Sequence, residues 1–218
     1  MCLATVFLLA VTPDRAGTTR LAAAPRSTLV LTGSSNLAQW QCRGMALSGT
    51  MDIDAPIEKI NEVIDRVEDG NMSVWMSDPS GGRFPQPRFE LTVPVDTLRC
   101  TGGRPMERDM RNALKAGRNP MIRFHLLEVS GPIAHDMDQH TYRATIIGQL
   151  SLAGVERDIE LSVWAERVAR NRFRLRSELP LRMSDFGITP PRALLGLIQA
   201  NDHLTVEFDL LLEVAPNA

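Results

Sequence analysis

The chain has 218 residues, a formal net charge of -2 and a pI near 6.1, and only 5% of it is aromatic. That length suits one domain or a single large all-β unit. The charge leaves no broad electrostatic footprint for nucleic acid, and scarce aromatics supply few stacking platforms for bases, so no nucleic-acid partner is expected.

Taken in order, the apolar run Leu3 to Val11 is far shorter than the roughly 20 residues of a membrane-spanning helix, but it has the length of a signal-peptide core. No Lys or Arg precedes it, and the small-residue run Ala22-Ala23-Ala24 lies well downstream against Pro25. Residues 1–26 are therefore read as a signal peptide or a disordered tail, and residues 27–218 as the domain. A periplasmic or secreted location is expected, with the cytoplasm as the alternative.

Ser27 to Thr32 and Met45 to Ile53 alternate apolar and polar residues as strands do, with turn chemistry at Gly33 to Asn36. From Ala55 to Val67 the apolar positions Ile57, Ile60, Val63 or Ile64, and Val67 recur at helical spacing, with Pro56 near the start. Ser77 to Pro87 is dense in Pro and Gly and reads as a loop. Phe89 to Val95 reads as a strand, although Pro94 argues against a central position there. A helix is expected from Met106 to Ala116, stopped by Gly117 and Pro120. Met121 to Leu127 is a strand with Ile122, Phe124 and Leu126 inward.

The clearest period-2 pattern runs from Thr141 to Trp164, broken at Ala153 to Arg157, and predicts an antiparallel hairpin. Phe173, Leu175 and Leu179 form the next dry face, and Leu204 to Val214 the last. The sum is an all-β chain of about eight antiparallel strands with one or two short helices, closed into a barrel or packed as a sandwich.

Three blocks in this order resemble a known family. Leu150 to Leu161, Leu-Ser-Leu-Ala-Gly-Val-Glu-Arg-Asp-Ile-Glu-Leu, looks like a characteristic hairpin of the YceI-like proteins. Met183-Ser184-Asp185-Phe186-Gly187-Ile188 is similar to that family's Arg-Ser-Asp-Phe-Gly-Ile run, and Met106 to Phe124 to its short helix followed by Pro-x-Ile-x-Phe. The resemblance spans roughly Ser27 to Val214. It implies a lipocalin-like β-barrel that holds an isoprenoid or other long-chain lipid, for transport, storage or sensing, without covalent chemistry or cofactor. Trp40-Gln41-Cys42 and Cys100 resemble a cysteine pair found in some members, which implies a disulfide; in a cytosolic chain the two would be free thiols.

Enzyme chemistry finds little support, since no nucleophile elbow, phosphate loop, His-Glu-x-x-His or Cys-x-x-Cys is present. His135-Asp136-Met137-Asp138-Gln139-His140 is the one cluster with metal-ligand residue types, and it reads more simply as a solvated hairpin loop. His125 and His203 lack a second placed group for acid-base work. Arg170, Arg172, Arg174 and Arg176 share one parity. They suit either anionic headgroups or cross-strand pairing with the strand that carries Asp158 and Glu160. Ser184 to Gly187 suits a turn, with Phe186 capping a barrel end.

The residues expected to face a lipid are Ile122, Phe124, Leu126, Tyr142, Ile146, Leu161, Phe173, Leu175, Phe186 and Phe208. A guest among them would have to be apolar, but a packed core would use the same residues, so a structural or interaction protein with a solid barrel stays open. A weak metal-binding or enzymatic role for the His135 to His140 loop is the further alternative, and a homodimer is also left open.

Overall fold

Alternation of apolar and polar residues builds the wall of the molecule, because only every second side chain of a strand can leave water on the same face. The computed structural model describes residues 17–68, 86–136, 140–193 and 197–215. The run Leu3 to Val11, most of the Pro/Gly-rich stretch at 77–87 and Met137 to Gln139 lie outside these residues.

Strands β1 (Thr19–Ala23), β4 (Ser48–Ile53), β5 (Arg88–Pro94), β7 (Met121–Asp136), β8 (Thr141–Leu152), β9 (Val155–Ala169), β10 (Arg172–Arg182) and β12 (Ile198–Val214) pair in that order, all antiparallel. A β1–β12 ladder, Leu21 opposite Val214 and Ala23 opposite Leu212, closes the ring of eight. The remaining strands extend it at one end: β2 (Thr28–Ser35) pairs with β12 and β3 (Gln39–Gly44), and β3 pairs with β6 (Leu98–Cys100). The two-residue β11 (Arg192–Ala193) pairs with β12. Two helices accompany the wall, α1 (Ile57–Glu68) and α2 (Gly103–Ala113).

Several expectations shift. Strand β1 lies inside the stretch read as tail, so the barrel begins before Ser27, and a cut at Ala22 to Ala24 would sever the strand that closes it. Strand β3 was not anticipated because its exposed positions, Gln39, Gln41 and Arg43, outnumber clear apolar partners; only Cys42 and Gly44 are buried. Helix α2 starts at Gly103, three residues early, and ends at Ala113, with the left-handed Lys115 following it in place of a Gly117 stop.

His135 and Asp136 belong to β7 and face Tyr142 and Thr141, so the expected hairpin loop is much shorter than its sequence suggested. A register shift between Ser130 and Ala134 absorbs Gly131-Pro132 as a bulge, which lets the strand continue where proline would otherwise end it.

The arginine stripe is charge-paired, but not to Asp158 and Glu160. Arg172 meets Glu213 at 2.8 Å, Arg174 meets Asp209, Arg176 meets Glu166 at 3.5 Å and Arg170 meets Asp65 at 3.6 Å. The reason is register. Strand β9 pairs with β10 only over Trp164 to Ala169, whereas Asp158 and Glu160 sit farther along, opposite Gln149 and Ile147 of β8.

Helix α1 seals one end of the barrel. Its 3.6-residue apolar repeat places Ile60, Val63, Ile64 and Val67 in the core. Asn61 donates to the Arg170 carbonyl at 2.8 Å in the β9–β10 turn. Arg167 of β9 donates at 2.5 Å to both Asp65 and Glu68 on the last turns of the helix. The Tyr142 hydroxyl donates to Glu68 at 3.3 Å. Burial, with the charge of Glu68 behind it, pushes the Tyr142 phenol above its ordinary range, so it stays a neutral donor.

Candidate functional site: an apolar cavity in the barrel

Because α1 fills one end, unfilled space remains in the other half. There the inward positions of β2, β5, β7, β8, β9, β10 and β12 surround a cavity of about 90 Å³. Its walls are Leu, Ile, Val, Phe and Met, and Arg182, at the end of β10, is the one lining residue of another kind. Leu114, Met183, Ile188 and Leu204 bound the end away from α1.

Of the residues expected to face a lipid, Ile122, Phe124, Leu161 and Phe208 line this cavity. Leu126 and Ile146 are buried core residues on the same wall but outside the lining. Tyr142 is held by Glu68, and Phe173 and Leu175 also lie outside the lining, in the strand that packs toward α1. Phe186, 1% exposed, packs in the core beside the cavity without lining it. The period-2 pattern identified the inward parity but carried no signal for depth along the barrel axis, and the helix at one end decides which half stays empty. Lining residues not singled out include Leu29, Leu31, Phe89, Leu91, Leu179 and Val206.

Close approach shapes the wall at one glycine. A Cβ at Gly148 would lie 2.2 Å from the Phe124 ring, so the missing side chain is what lets Phe124 lie flat across β8 and form part of the lining.

The Met183–Phe186 segment is a single 3₁₀ turn closed by Gly187 at φ 60°, a left-handed position suited to glycine. Met183, Phe186 and Ile188 are buried, and Met183 and Ile188 line the cavity. Polar groups pin the turn from outside. Ser184 donates its amide and its hydroxyl to Asp202 at 2.8 and 2.6 Å, Arg157 donates to the Asp185 carbonyl, and Lys115 donates to the Gly187 carbonyl at 3.3 Å. The motif thus frames the cavity by geometry.

Those Ser184 hydrogen bonds hold the Asp202 carboxyl below its ordinary value. A carboxylate lowered on folding adds stability above its unfolded pKa and loses it as pH falls through the folded one. Ser184→Ala is therefore expected to be less stable than the parent at neutral pH, with the gap closing on acidification below the carboxylate range. Urea midpoints across that range test it, and a gap that does not change with pH would refute the assignment.

The metal alternative gains no geometry. His135 stacks on Tyr142 at 4.5 Å between ring centroids, and among the described residues no group of three His, Cys, Asp or Glu side chains is placed to hold a metal. His125 lies 3.6 Å from Glu90 on the exposed wall, an ordinary surface pair.

A closed antiparallel barrel, plugged at one end and partly empty within, belongs to the lipocalin-like class of barrels, whose interiors are wide enough for a single guest. Within that class, a family model described as YceI-like domain matches residues 39–212, and the chain belongs to that family. A polyisoprenoid-binding domain from Saccharophagus degradans, implicated in plant cell wall breakdown, shares the fold at 14% identity and a TM-score of 0.60, covering 91% of this chain and 100% of that one. BcnA of Burkholderia cenocepacia is similar at 12% identity and a TM-score of 0.56, covering 85% and 96%. A comparison with curated proteins found no match.

Proposed function

We propose that the barrel binds a long-chain apolar lipid of isoprenoid type, with the hydrocarbon in the cavity and no covalent step. The observation that carries this reading is the lining: a cavity walled almost wholly by Leu, Ile, Val, Phe and Met offers a polar guest nothing to hydrogen-bond. The polyisoprenoid binding of the Saccharophagus domain supports the choice of lipid.

Size limits the guest. At about 10–15 Å³ per water-sized group, the cavity holds roughly six to nine such groups, a stretch of chain rather than a whole polyprenyl tail. Burying that many methylenes at about 0.8 kcal/mol each gives a gross gain of roughly 5–7 kcal/mol, before the costs of association. Tight binding therefore needs the rest of the lipid to meet further surface or the wall to open. The Cys42–Cys100 disulfide supports a location outside the cytoplasm.

Native mass spectrometry with organic extraction, on protein purified from cells that make isoprenoids, tests the reading. A discrete mass of a few hundred daltons, released by solvent, is expected from the parent. Val206→Trp, which puts an indole into the cavity from β12, is expected to abolish that mass while the chain stays folded, with a melting temperature no more than roughly 2–7 °C below the parent's. Clean apo parent protein that also ignores added polyisoprenoid would overturn the proposal.

A further inference from the structure

We infer that the barrel end opposite α1 docks on an anionic bilayer surface, from which the cavity is loaded. The inference builds on the lipid-binding reading but stands on a different set of residues.

The first observation is apolar. Leu37, in the β2–β3 turn, and Leu197, just before β12, are 70% and 75% exposed, the two most exposed large hydrophobic side chains among the described residues. They are not scattered singly. The Asn36 side chain donates to the Leu197 carbonyl at 2.9 Å and accepts from the Gln199 amide at 2.9 Å, which ties the two tips together. Leu31 and Leu204, on the strands leading into these tips, both line the cavity. The pair therefore stands at the cavity's end of the barrel.

The second observation is charge. At the α1 end four arginines are neutralised at close range, Arg20 by Asp52 at 2.7 Å, Arg88 by Asp54 at 2.8 Å, Arg167 by Asp65 and Glu68 and Arg172 by Glu213, while Arg170 meets Asp65 at 3.6 Å and Arg143 has no carboxylate within ion-pair distance among the described residues. Around the opposite rim, Lys115, Arg118, Arg157 and Arg192 have no carboxylate within ion-pair distance among the described residues. Arg182 has only Asp202 at 3.6 Å, and that carboxylate already accepts two hydrogen bonds from Ser184. The carboxylates at this rim include Asp96, Glu156, Asp185 and Asp202. Helix α2, whose following residue Leu114 reaches the cavity, adds Arg104, Arg108 and Arg111 against Glu107 and Asp109.

Two insertable leucines ringed by under-neutralised cations fit a surface that is apolar just below an anionic layer. A neutral protein partner would leave the cations unmatched. A free anionic solute would leave the leucines exposed. A lipid leaving such a bilayer would meet Leu114, Met183, Ile188 and Leu204 first, and would avoid the helix plug entirely.

The test is co-sedimentation of the full protein with phosphatidylcholine vesicles, with and without one-third phosphatidylglycerol, at low and high salt. The parent is expected to bind the anionic vesicles in a salt-sensitive way and the neutral ones weakly. Leu37→Asp with Leu197→Asp, both exposed enough to leave folding intact, is expected to weaken binding by about tenfold or more. Equal binding to both vesicle types, no binding by the parent, or a double variant that binds as the parent does would each overturn the inference. Uptake of a polyprenol delivered from ethanol, without vesicles, is read in parallel. The double variant keeps it if docking and cavity are separate. Loss of that uptake in the parent would strike the cavity reading instead, so the two failures are distinguishable.

Discussion

Replacing Cys42 and Cys100 together by alanine is expected to lower the melting temperature by about 9 °C. The disulfide joins residues 58 apart, for which chain-entropy reasoning gives about 4 kcal/mol. Over 218 residues the entropy of unfolding turns that loss into a shift of about that size. Local structure makes the bridge matter. The β3–β6 ladder has only three residue pairs, Cys42 opposite Cys100, Arg43 opposite Arg99 and Gly44 opposite Leu98. The middle pair sets two like charges against each other, which destabilises a ladder. Besides the bridge, β6 is anchored by the buried Leu98, while α2 has no fully buried residue and rests on the core through Met106, Met110 and Ala113. Loss of the bridge is therefore expected to show first as faster amide exchange over residues 98–113, ahead of the rest of the barrel. Melting followed by circular dichroism, with and without reductant and against the double variant, measures the main effect. An unchanged midpoint on reduction would show that the bridge contributes nothing to stability.

What the sequence revealed and what it withheld follow from the range of the interactions involved. The β8–β9 hairpin was legible because its alternation is local: Ile146, Leu150 and Leu152 face Leu161, Arg157 and Val155 in a ladder whose register the short turn fixes. Helix α1 was legible for the same reason, as its own residues carry the 3.6 repeat. Its role as a plug was not. That depends on Arg167, 102 residues beyond Asp65, and no local pattern announces so distant a partner. Strand β1 was hidden in another way: five residues, Thr-Arg-Leu-Ala-Ala, become a strand only because β4 and β12 lie on either side to accept them. The cavity was half legible. Parity separated inside from outside at Ile122, Phe124, Leu161 and Phe208, whereas Tyr142, Phe173 and Leu175 shared that parity and fell nearer the plugged end.

Phe186→Ala is expected to destabilise the protein by about 3–5 kcal/mol, the usual consequence of deleting a buried phenylalanine ring. The ring is 1% exposed and sits in a one-turn 3₁₀ segment otherwise held by the buried Met183 and a few hydrogen bonds at the surface. Strand β10 stops pairing with β9 at Arg176, so beyond that point the wall on this side is completed by packing, with Ser177 donating to the Ser162 carbonyl at 2.7 Å as the last polar tie. The turn that follows brings Phe186, Met183 and Ile188 into the core next to the length of β9 that pairs with β8 but not with β10, and Arg157 of β9 fastens it there. Phe186 is expected from the sequence both to cap a barrel end and to face a lipid; in the structure it packs beside the cavity without lining it, and it is the packing of this seam that would fail without it. Urea denaturation measures the stability change. Because Met183 and Ile188 line the cavity, the variant is also expected to release bound lipid faster, through a looser wall. A stability loss below about 1 kcal/mol would mean that the neighbouring side chains collapse into the vacated space, and that the seam is held by β9 and β10 themselves.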